Sequence, residues 1–273
     1  MGNQMTPILD FYDVSLMHSS LETTSKFMCG TEYEIEDVKT IKLPGANILY
    51  RDQISLTESI PYWIGNIGLV QDNSLRNGGV EFITKPMDFD EAIKTFNVLH
   101  DGLTLGPEPY TSRTSIHVHI NMANLTMEHL KHFLLTYALL EPVFFEVAGE
   151  TRKHNIHCVP LCFTIMPSHY SKSPSDLVKL WSKYSALNLM PVKSQGTVEF
   201  RHLYGTGDVH LYTKWLTLIK ELWQFIYDNP VDTLEKLLKT GQSPEAIQKL
   251  VLPSSLYLSP DFSDSLIDVK LAF

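Results

Sequence analysis

Short stretches in which polar and apolar residues alternate are the clearest pattern in this chain of 273 residues. Alternation at every second position predicts β-strands with one polar and one apolar face. Such strands are predicted over residues 28–36, 114–122 and 196–204, and a hairpin with an N-G-G turn is predicted over residues 67–84. Because strands with two unlike faces are typical of antiparallel sheets, we expect an α+β fold, with a curved, mostly antiparallel sheet and helices packed on its back.

Helix-start signals followed by apolar residues at helical spacing predict the helices. Asp88 and Glu91 form a capping pair for a helix that extends through His100. Thr126 caps the next helix, which we expect to be interrupted before Pro142, because proline removes a backbone donor and clashes with the preceding turn.

The second half of the chain predicts more helix than strand. A strand is predicted over residues 158–166, and a long amphipathic helix over residues 208–227. The apolar stripe of this long helix is interpreted as core, and a subunit interface of a homo-oligomer is the alternative. Further helix starts are predicted at Ser173-Pro174 (with Leu177, Leu180, Trp181 and Tyr184 as the apolar stripe), at Asp232 and at Ser243-Pro244.

The domain organisation is expected to be simple, because no linker-like run or internal repeat divides the chain. We expect an N-terminal arm over residues 1–26 and a single domain over residues 27–273, whose part from about 205 to 273 is helical. The stretches 39–61 and 103–110 are predicted to be irregular. The formal net charge of −9 argues against a nucleic-acid partner, and no apolar run is long enough to span a membrane. An odd number of cysteines favours a reducing compartment, so we expect a cytoplasmic protein.

The polar faces of two predicted strands carry carboxylates. Glu32, Glu34 and Glu36 would share one strand face, and Glu81 stands alone in an otherwise apolar strand. Anions at this spacing repel one another unless they meet solvent, a cation or protons. For any single strand, a solvated sheet face is the simpler interpretation.

Two further strands add imidazoles and a guanidinium. His117 and His119 share one strand face, and Glu199 and Arg201 share another, where a plain surface salt bridge is the alternative. Oxygen-rich ligand sets suit Mg²⁺ or Mn²⁺, whereas structural zinc sites prefer cysteine and this chain has no C-x-x-C motif. Carboxylates for a hard metal beside an arginine indicate a site that handles a nucleoside triphosphate.

The order of these motifs resembles that of the amidoligases, relatives of glutamine synthetase and of the glutamate–cysteine ligases that occur in bacterial and phage genomes. The resemblance spans roughly residues 27–212 and rests on the motifs G-x-E-x-E, D-x-S with G-x-E, H-x-H and T-x-E-x-R. The matching residues are Gly30, Glu32 and Glu34; Asp72, Ser74, Gly79 and Glu81; Ser115, His117 and His119; and Thr197, Glu199 and Arg201.

The resemblance implies a glutamine-synthetase-like fold and an ATP-dependent ligase in the cytosol of a bacterium or of a phage-infected host. Such an enzyme joins a small-molecule or peptide carboxylate to an amine through an acyl phosphate and releases ADP and phosphate. It implies that Arg201 and His119 are catalytic, that both approach ATP together with Lys183, and that Mg²⁺ or Mn²⁺ is bound. The implied metal ligands are Glu32, Glu34, Glu81, His117 and Glu199, and the implied substrate-binding residues are Arg152 and Asn155.

Two other functions stay open at this point. A metal-dependent hydrolase could use the histidines and carboxylates to activate water, and it would need no nucleotide. A catalytically inactive binding protein could keep the same fold, although an inert scaffold gains nothing from holding repelling carboxylates together.

Overall fold

Among the described residues, the β-strands form a seven-stranded and a three-stranded antiparallel sheet. The computed structural model describes Ile8 and residues 26–161, 174–179 and 181–271. The strands are β1 Cys29–Ile35, β2 Val38–Ile41, β3 Leu49–Tyr50, β4 Tyr62–Ile64, β5 Ile67–Val70, β6 Val80–Thr84, β7 Leu103–Leu105, β8 Ser115–Asn121, β9 Leu187–Asn188 and β10 Thr197–Tyr204. The main sheet has the order β4-β5-β6-β1-β8-β10-β9, and β3-β2-β7 form the small sheet. The expected antiparallel α+β arrangement is therefore confirmed.

Eight helices accompany these strands in the described part of the chain. They are α1 Phe89–Asp101, α2 Met127–Ala148, α3 Pro174–Lys179, α4 Pro191–Gln195, α5 Val209–Asp228, α6 Thr233–Lys239, α7 Pro244–Val251 and α8 Ser263–Leu271. The side chains of Asp88, Thr126 and Asp208 accept hydrogen bonds from the first turns of α1, α2 and α5. These three predicted helix starts are thus confirmed, and α3, α6 and α7 begin at Pro174, Thr233 and Pro244, at or directly after the other predicted starts. None of the helices in the described residues is both long and apolar enough to cross a bilayer.

The apolar face of the main sheet packs against α1, α2 and α5. Tyr33 and Ile35 of β1 are each only 1% exposed, as the alternation predicts. The hydroxyl groups of Thr31 and Tyr33 lie 2.9 and 3.1 Å from the hydroxyl of Tyr212 on α5, which links the sheet to the helix behind it. The opposite face of the sheet, called the front face below, is left for polar side chains.

The apolar stripe of α5 is buried within the chain itself. Its tryptophan and aliphatic residues are 0–3% exposed: Trp215, Leu216, Ile219, Leu222 and Trp223. The interpretation of this stripe as core is therefore confirmed.

The expected interruption before Pro142 is wrong. Helix α2 continues through Pro142 to Ala148, and its residues on both sides of the proline are buried, among them Leu139 and Phe144. Burial of this apolar surface on all sides of the helix outweighs the loss of one backbone hydrogen bond.

Parts of the stretches that were predicted to be irregular form the small sheet. Strand β2 pairs with β3 and with β7, which come from residues 39–61 and 103–110. These strands are only two to four residues long, too short for alternation to be recognised in the sequence.

Several expectations fall wholly or partly outside the described residues. Of the expected arm, residues 1–26, Ile8 is fully buried and its amide donates to the carbonyl of Leu125 at 2.8 Å. Of the predicted strand 158–166, the described residues end at Leu161 and contribute one isolated parallel bridge, between Val159 and Ser185. Leu180 also lies outside the described residues. The described helix ends at Lys179, so Tyr184 lies beyond it and is 40% exposed, and the prediction that Tyr184 belongs to the apolar stripe of this helix is wrong.

Candidate functional site

Four adjacent strands bring the predicted site residues together on the front face. Strand β1 lies between β6 and β8, and β10 follows on the other side of β8. The register sets Glu34 opposite Glu81, Glu32 opposite His117, and Glu199 opposite His119. We call these six residues the front cluster: Glu32, Glu34, Glu81, His117, His119 and Glu199.

Glu32 is at the centre of the front cluster and contacts both histidines. Its two carboxylate oxygens lie 3.1 Å from Nδ1 of His117 and 3.1 Å from Nε2 of His119. Nδ1 of His117 is also 3.4 Å from the Glu199 carboxylate. Both histidines are almost completely buried, whereas the Glu32 side chain is 28% exposed.

Glu199 is held by two donors as well as by the histidine. Arg201 forms an ion pair with one of its carboxylate oxygens, and the side-chain amide of Asn188 on β9 donates to the other at 2.6 Å. Asn188 was not predicted as a site residue. A single asparagine in a two-residue strand gives no periodic signal.

Glu34 is oriented by Ser115. The backbone amide and the hydroxyl of Ser115 donate to the same carboxylate oxygen, at 2.8 and 2.6 Å. The other Glu34 oxygen is 3.9 Å from Nε2 of His117. A carboxylate fixed in this way keeps an oxygen directed toward the rest of the front cluster.

The pKa values of the two carboxyl groups Glu32 and Glu81 in the front cluster shift in opposite directions. Burial raises the pKa of Glu32, but His119 and His117 outweigh burial and hold the pKa of this carboxyl well below its usual range. Burial lowers the pKa of His119, but Glu32 outweighs it, so the pKa of this histidine is raised. Burial and the surrounding carboxylates raise the pKa of Glu81 to about 8.

The donor atoms of the front cluster fit a divalent cation. One ligand atom each of Glu32, His119 and Glu199 lie within 4.8 Å of one another. The carboxylate oxygens suit a hard divalent cation such as Mg²⁺ or Mn²⁺. No described residue donates a hydrogen bond to the Glu81 carboxylate. His117 reaches the same two carboxylates, so the assignment of His117 as ligand and His119 as phosphate neighbour stays a prediction.

Strand β10 contains a bulge directly after Phe200. Phe200 pairs with Val118 and Leu203 pairs with Ile116, so β10 has one residue more than β8 over this interval. The bulge reverses the alternation, because Leu203 is buried while Tyr204 is 42% exposed. Strict alternation along the strand predicted over residues 196–204 would set Tyr204 on the core face with Phe200, and the bulge makes this prediction wrong.

The Arg152 side chain stabilises the backbone of this bulge. It is buried, its Nε donates to the carbonyl of His202 at 2.6 Å, and a terminal nitrogen donates to the carbonyl of Arg201 at 2.8 Å. These contacts fix the backbone that carries the Arg201 side chain. The predicted contact between Arg152 and a substrate carboxylate stays a prediction.

The remaining predicted site residues border Arg201. Nε of Arg201 donates to the carbonyl of His157 at 3.5 Å, and the His157 ring lies 5.1 Å from that of Tyr184. Lys183 is exposed, with its ammonium 5.1 Å from the Tyr184 ring centroid. The Asn155 side chain accepts from the His157 amide at 2.8 Å and closes this turn.

A cavity of about 680 Å³ adjoins the front cluster on the side of β4. Glu32, His119 and Thr197 line it together with Trp63 and Lys85, which come from parts of the sequence that gave no functional signal. We call it the front cavity. Its wall was missed in the sequence because strands β4 and β5 become neighbours of the cluster only through the sheet order.

Comparison with known protein families gives a match for this chain. A family described as "putative amidoligase enzyme" matches residues 68–223, more than half of the chain, and the match includes Glu81, both histidines of β8, Glu199 and Arg201. No curated protein matches the chain. The chain therefore belongs to this amidoligase family.

Proposed function

We propose that the protein is an ATP-dependent carboxylate–amine ligase on a glutamine-synthetase-like fold. The observation that carries the proposal is the front cluster, in which Glu32, His119 and Glu199 offer ligand atoms within 4.8 Å of one another and Glu199 is paired with Arg201. Carboxylates that could hold a hard cation beside a fixed guanidinium suit phosphoryl transfer. Membership of the amidoligase family agrees with this chemistry.

The residues proposed to hold Mg²⁺ or Mn²⁺ are Glu32, Glu34, Glu81, His117 and Glu199. A cation bound there would neutralise charge on the ATP phosphates and so lower the barrier to their transfer. The Arg201 guanidinium can donate two parallel hydrogen bonds to phosphate oxygens, which suits it to stabilise the phosphoryl group during transfer. His119 would lie beside the phosphates, and Lys183 could reach them only as a flexible point charge.

The reaction follows in two steps. An oxygen of the substrate carboxylate attacks the γ-phosphorus of ATP, the bond to the bridging oxygen breaks, and ADP leaves. The nitrogen of the amine then attacks the carbonyl carbon of the acyl phosphate, inorganic phosphate leaves and the nitrogen loses a proton. The products are one amide, one ADP and one phosphate.

Hydroxylamine offers a test that does not require the natural amine. It is a small nucleophile that converts acyl phosphates into hydroxamates, which form coloured complexes with ferric iron. The protein is incubated with ATP, Mg²⁺, hydroxylamine and a panel of amino acids and other carboxylic acids, and hydroxamate, ADP and AMP are measured. We expect hydroxamate and ADP in equal amounts with at least one acid. With that acid labelled by ¹⁸O in its carboxylate, one ¹⁸O should appear in the released phosphate.

Two variants sharpen this test. Arg201→Lys should lower turnover by roughly a hundredfold or more, because a preorganised donor to developing charge is typically worth that much. It should bind ATP almost as well as the wild type, because the guanidinium is needed chiefly as charge moves. Glu235→Gln, on the surface helix α6, serves as the matched control and should change neither value. AMP as product, or hydrolysis of amides without nucleotide, would contradict the proposal.

A further inference from the structure

The front cavity extends across the sheet from the front cluster to the edge strand β4. Its volume of about 680 Å³ is within the range of small-molecule sites, roughly 300–1,000 Å³. Thr197 of β10 and His119 of β8 line it near the cluster, and Pro61 and Trp63 line it at the sheet edge. A ligand that fills it would have one part at the cluster and another part at the edge.

Trp63 forms a flat aromatic surface within this cavity. Its partner across the strands is Gly68, where an added Cβ would lie 3.2 Å from the indole Cε3 and 3.0 Å from Ile83 Cγ1. The indole can therefore lie close against the sheet because residue 68 has no side chain. The Trp63 side chain remains 43% exposed, and Nζ of Lys85 is 5.4 Å from its ring centroid.

Cations are distributed unevenly around the front cluster. Within the described residues, Lys85 is the one lysine or arginine that lines the front cavity. Arg201 and Lys183 lie on the opposite side of Glu199, around His157 and Tyr184. A carboxylate substrate requires the cationic side, whereas an uncharged planar ring suits the aromatic cavity.

On the basis of the proposed function, we infer that the front cavity binds the nucleoside part of ATP. The base stacks on Trp63, and the phosphates extend past Thr197 and His119 to Glu32. The carboxylate substrate then approaches from the side of Arg201. In this arrangement the γ-phosphoryl group lies between the two substrates, as transfer from ATP to a carboxylate requires.

The test compares ATP with inorganic tripolyphosphate, which has the phosphates but no nucleoside. Binding of both is measured by calorimetry in Mg²⁺ for the wild type, Trp63→Ala and Trp63→Phe. We expect the wild type to bind ATP more tightly than tripolyphosphate. Trp63→Ala should weaken ATP binding by about 5- to 140-fold, because stacking of a base on an aromatic ring is worth roughly 1–3 kcal/mol and 1.4 kcal/mol corresponds to a factor of ten in affinity. Trp63→Phe should retain part of the preference, and tripolyphosphate should bind all three proteins alike.

Tyr62→Ala is the matched control. Tyr62 is the neighbouring aromatic residue of β4, is 51% exposed and does not line the front cavity, so its removal should leave ATP binding unchanged. Gly68→Ala keeps the indole but forces it to shift. This variant should weaken ATP binding without affecting the binding of tripolyphosphate.

The outcomes separate this inference from the proposed function. If tripolyphosphate and ATP bind the wild type equally and Trp63→Ala changes neither, the nucleoside assignment is overturned while the phosphate site stands. If neither compound binds in Mg²⁺, both the assignment and the proposed function are overturned.

Discussion

At the scale of single residues, protonation of Glu81 and His119 reduces the negative charge of the front cluster. The pKa of Glu32 is lowered and that of His119 is raised, which favours a charged pair of the two. The pKa of Glu81, in contrast, is raised to about 8. A cation that binds to Glu81 has to replace the proton that this carboxyl holds near neutral pH. Cys29, next to the G-x-E-x-E segment, is not a competing nucleophile, because burial raises the pKa of its thiol to about 12.

The raised pKa of Glu81 predicts how the stability of the metal-free protein depends on pH. The pKa of this carboxyl is about 4.3 in the unfolded chain and about 8 in the folded protein, so the folded state holds more protons between these pH values. The contribution of Glu81 is therefore fully present below about pH 4 and is lost as the pH rises through 8. Denaturant unfolding in EDTA should show this decrease, and Glu81→Gln should remove it. An equally steep decrease in the variant would contradict the assignment.

The two histidines of β8 are predicted to have unequal roles. His117→Ala should reduce both magnesium affinity and turnover, whereas His119→Ala should reduce turnover more than affinity. Magnesium titrations followed by calorimetry, together with ADP release, measure the two effects. The reverse order would assign the ligand role to His119, which is within the distance required for it, and would shift the match of the H-x-H strand to the family by two residues.

At the scale of elements, the bulge in β10 gives Arg152 a role that can be measured. Replacing it removes the donors to two backbone carbonyls, so Arg152→Met and Arg152→Lys should each lower the free energy of unfolding, by about 1–3 kcal/mol for each carbonyl left without a donor. Lysine keeps the charge but cannot replace both planar donors.

Denaturant unfolding and steady-state kinetics distinguish this role from substrate binding. Loss of backbone support should lower stability and turnover together in both variants. A raised KM for the acid, with unchanged stability in Arg152→Lys, would instead favour the predicted contact with the substrate carboxylate.

How far the sequence predicts this structure depends on the kind of element. The long strands and the capped helices were predictable, because alternation and capping residues such as Asp88 and Thr126 act locally. The bulge after Phe200 was not predictable, because the residue types in the strand do not show where one extra residue is accommodated. The continuation of α2 through Pro142 depends on tertiary burial, which local rules do not include.

The same distinction applies to the candidate site. Residues of the front cluster repeat at every second position, so the sequence already groups them by face. Asn188 and the front cavity arise only when the sheet order sets β9 beside β10, and β4 and β5 beside β6. Their contacts join parts of the chain that are far apart, and no single segment carries their pattern.

At the scale of the whole molecule, the front cluster should couple ligand binding to stability. Repulsion among its carboxylates acts against the metal-free fold, and a ligand that binds only the folded state stabilises it further. Magnesium with ATP should therefore raise the melting temperature, and Glu199→Gln should remove most of the gain. Glu235→Gln, the surface control, should keep the full gain, measured by differential scanning fluorimetry. Equal gains for wild type and Glu199→Gln would exclude the metal assignment.

The central position of β8 has a consequence for how chains with this fold can diverge. β8 is bonded to β1 on one side and to β10 on the other, so neither edge can absorb a change in its length. Deleting one residue within it would invert the alternation on one side of the deletion, so side chains of its front face there would turn toward the apolar layer. Insertions and deletions are therefore expected to accumulate in the connecting segments, where they alter which molecules are accepted, while the number of residues in β8 is fixed by its chemistry.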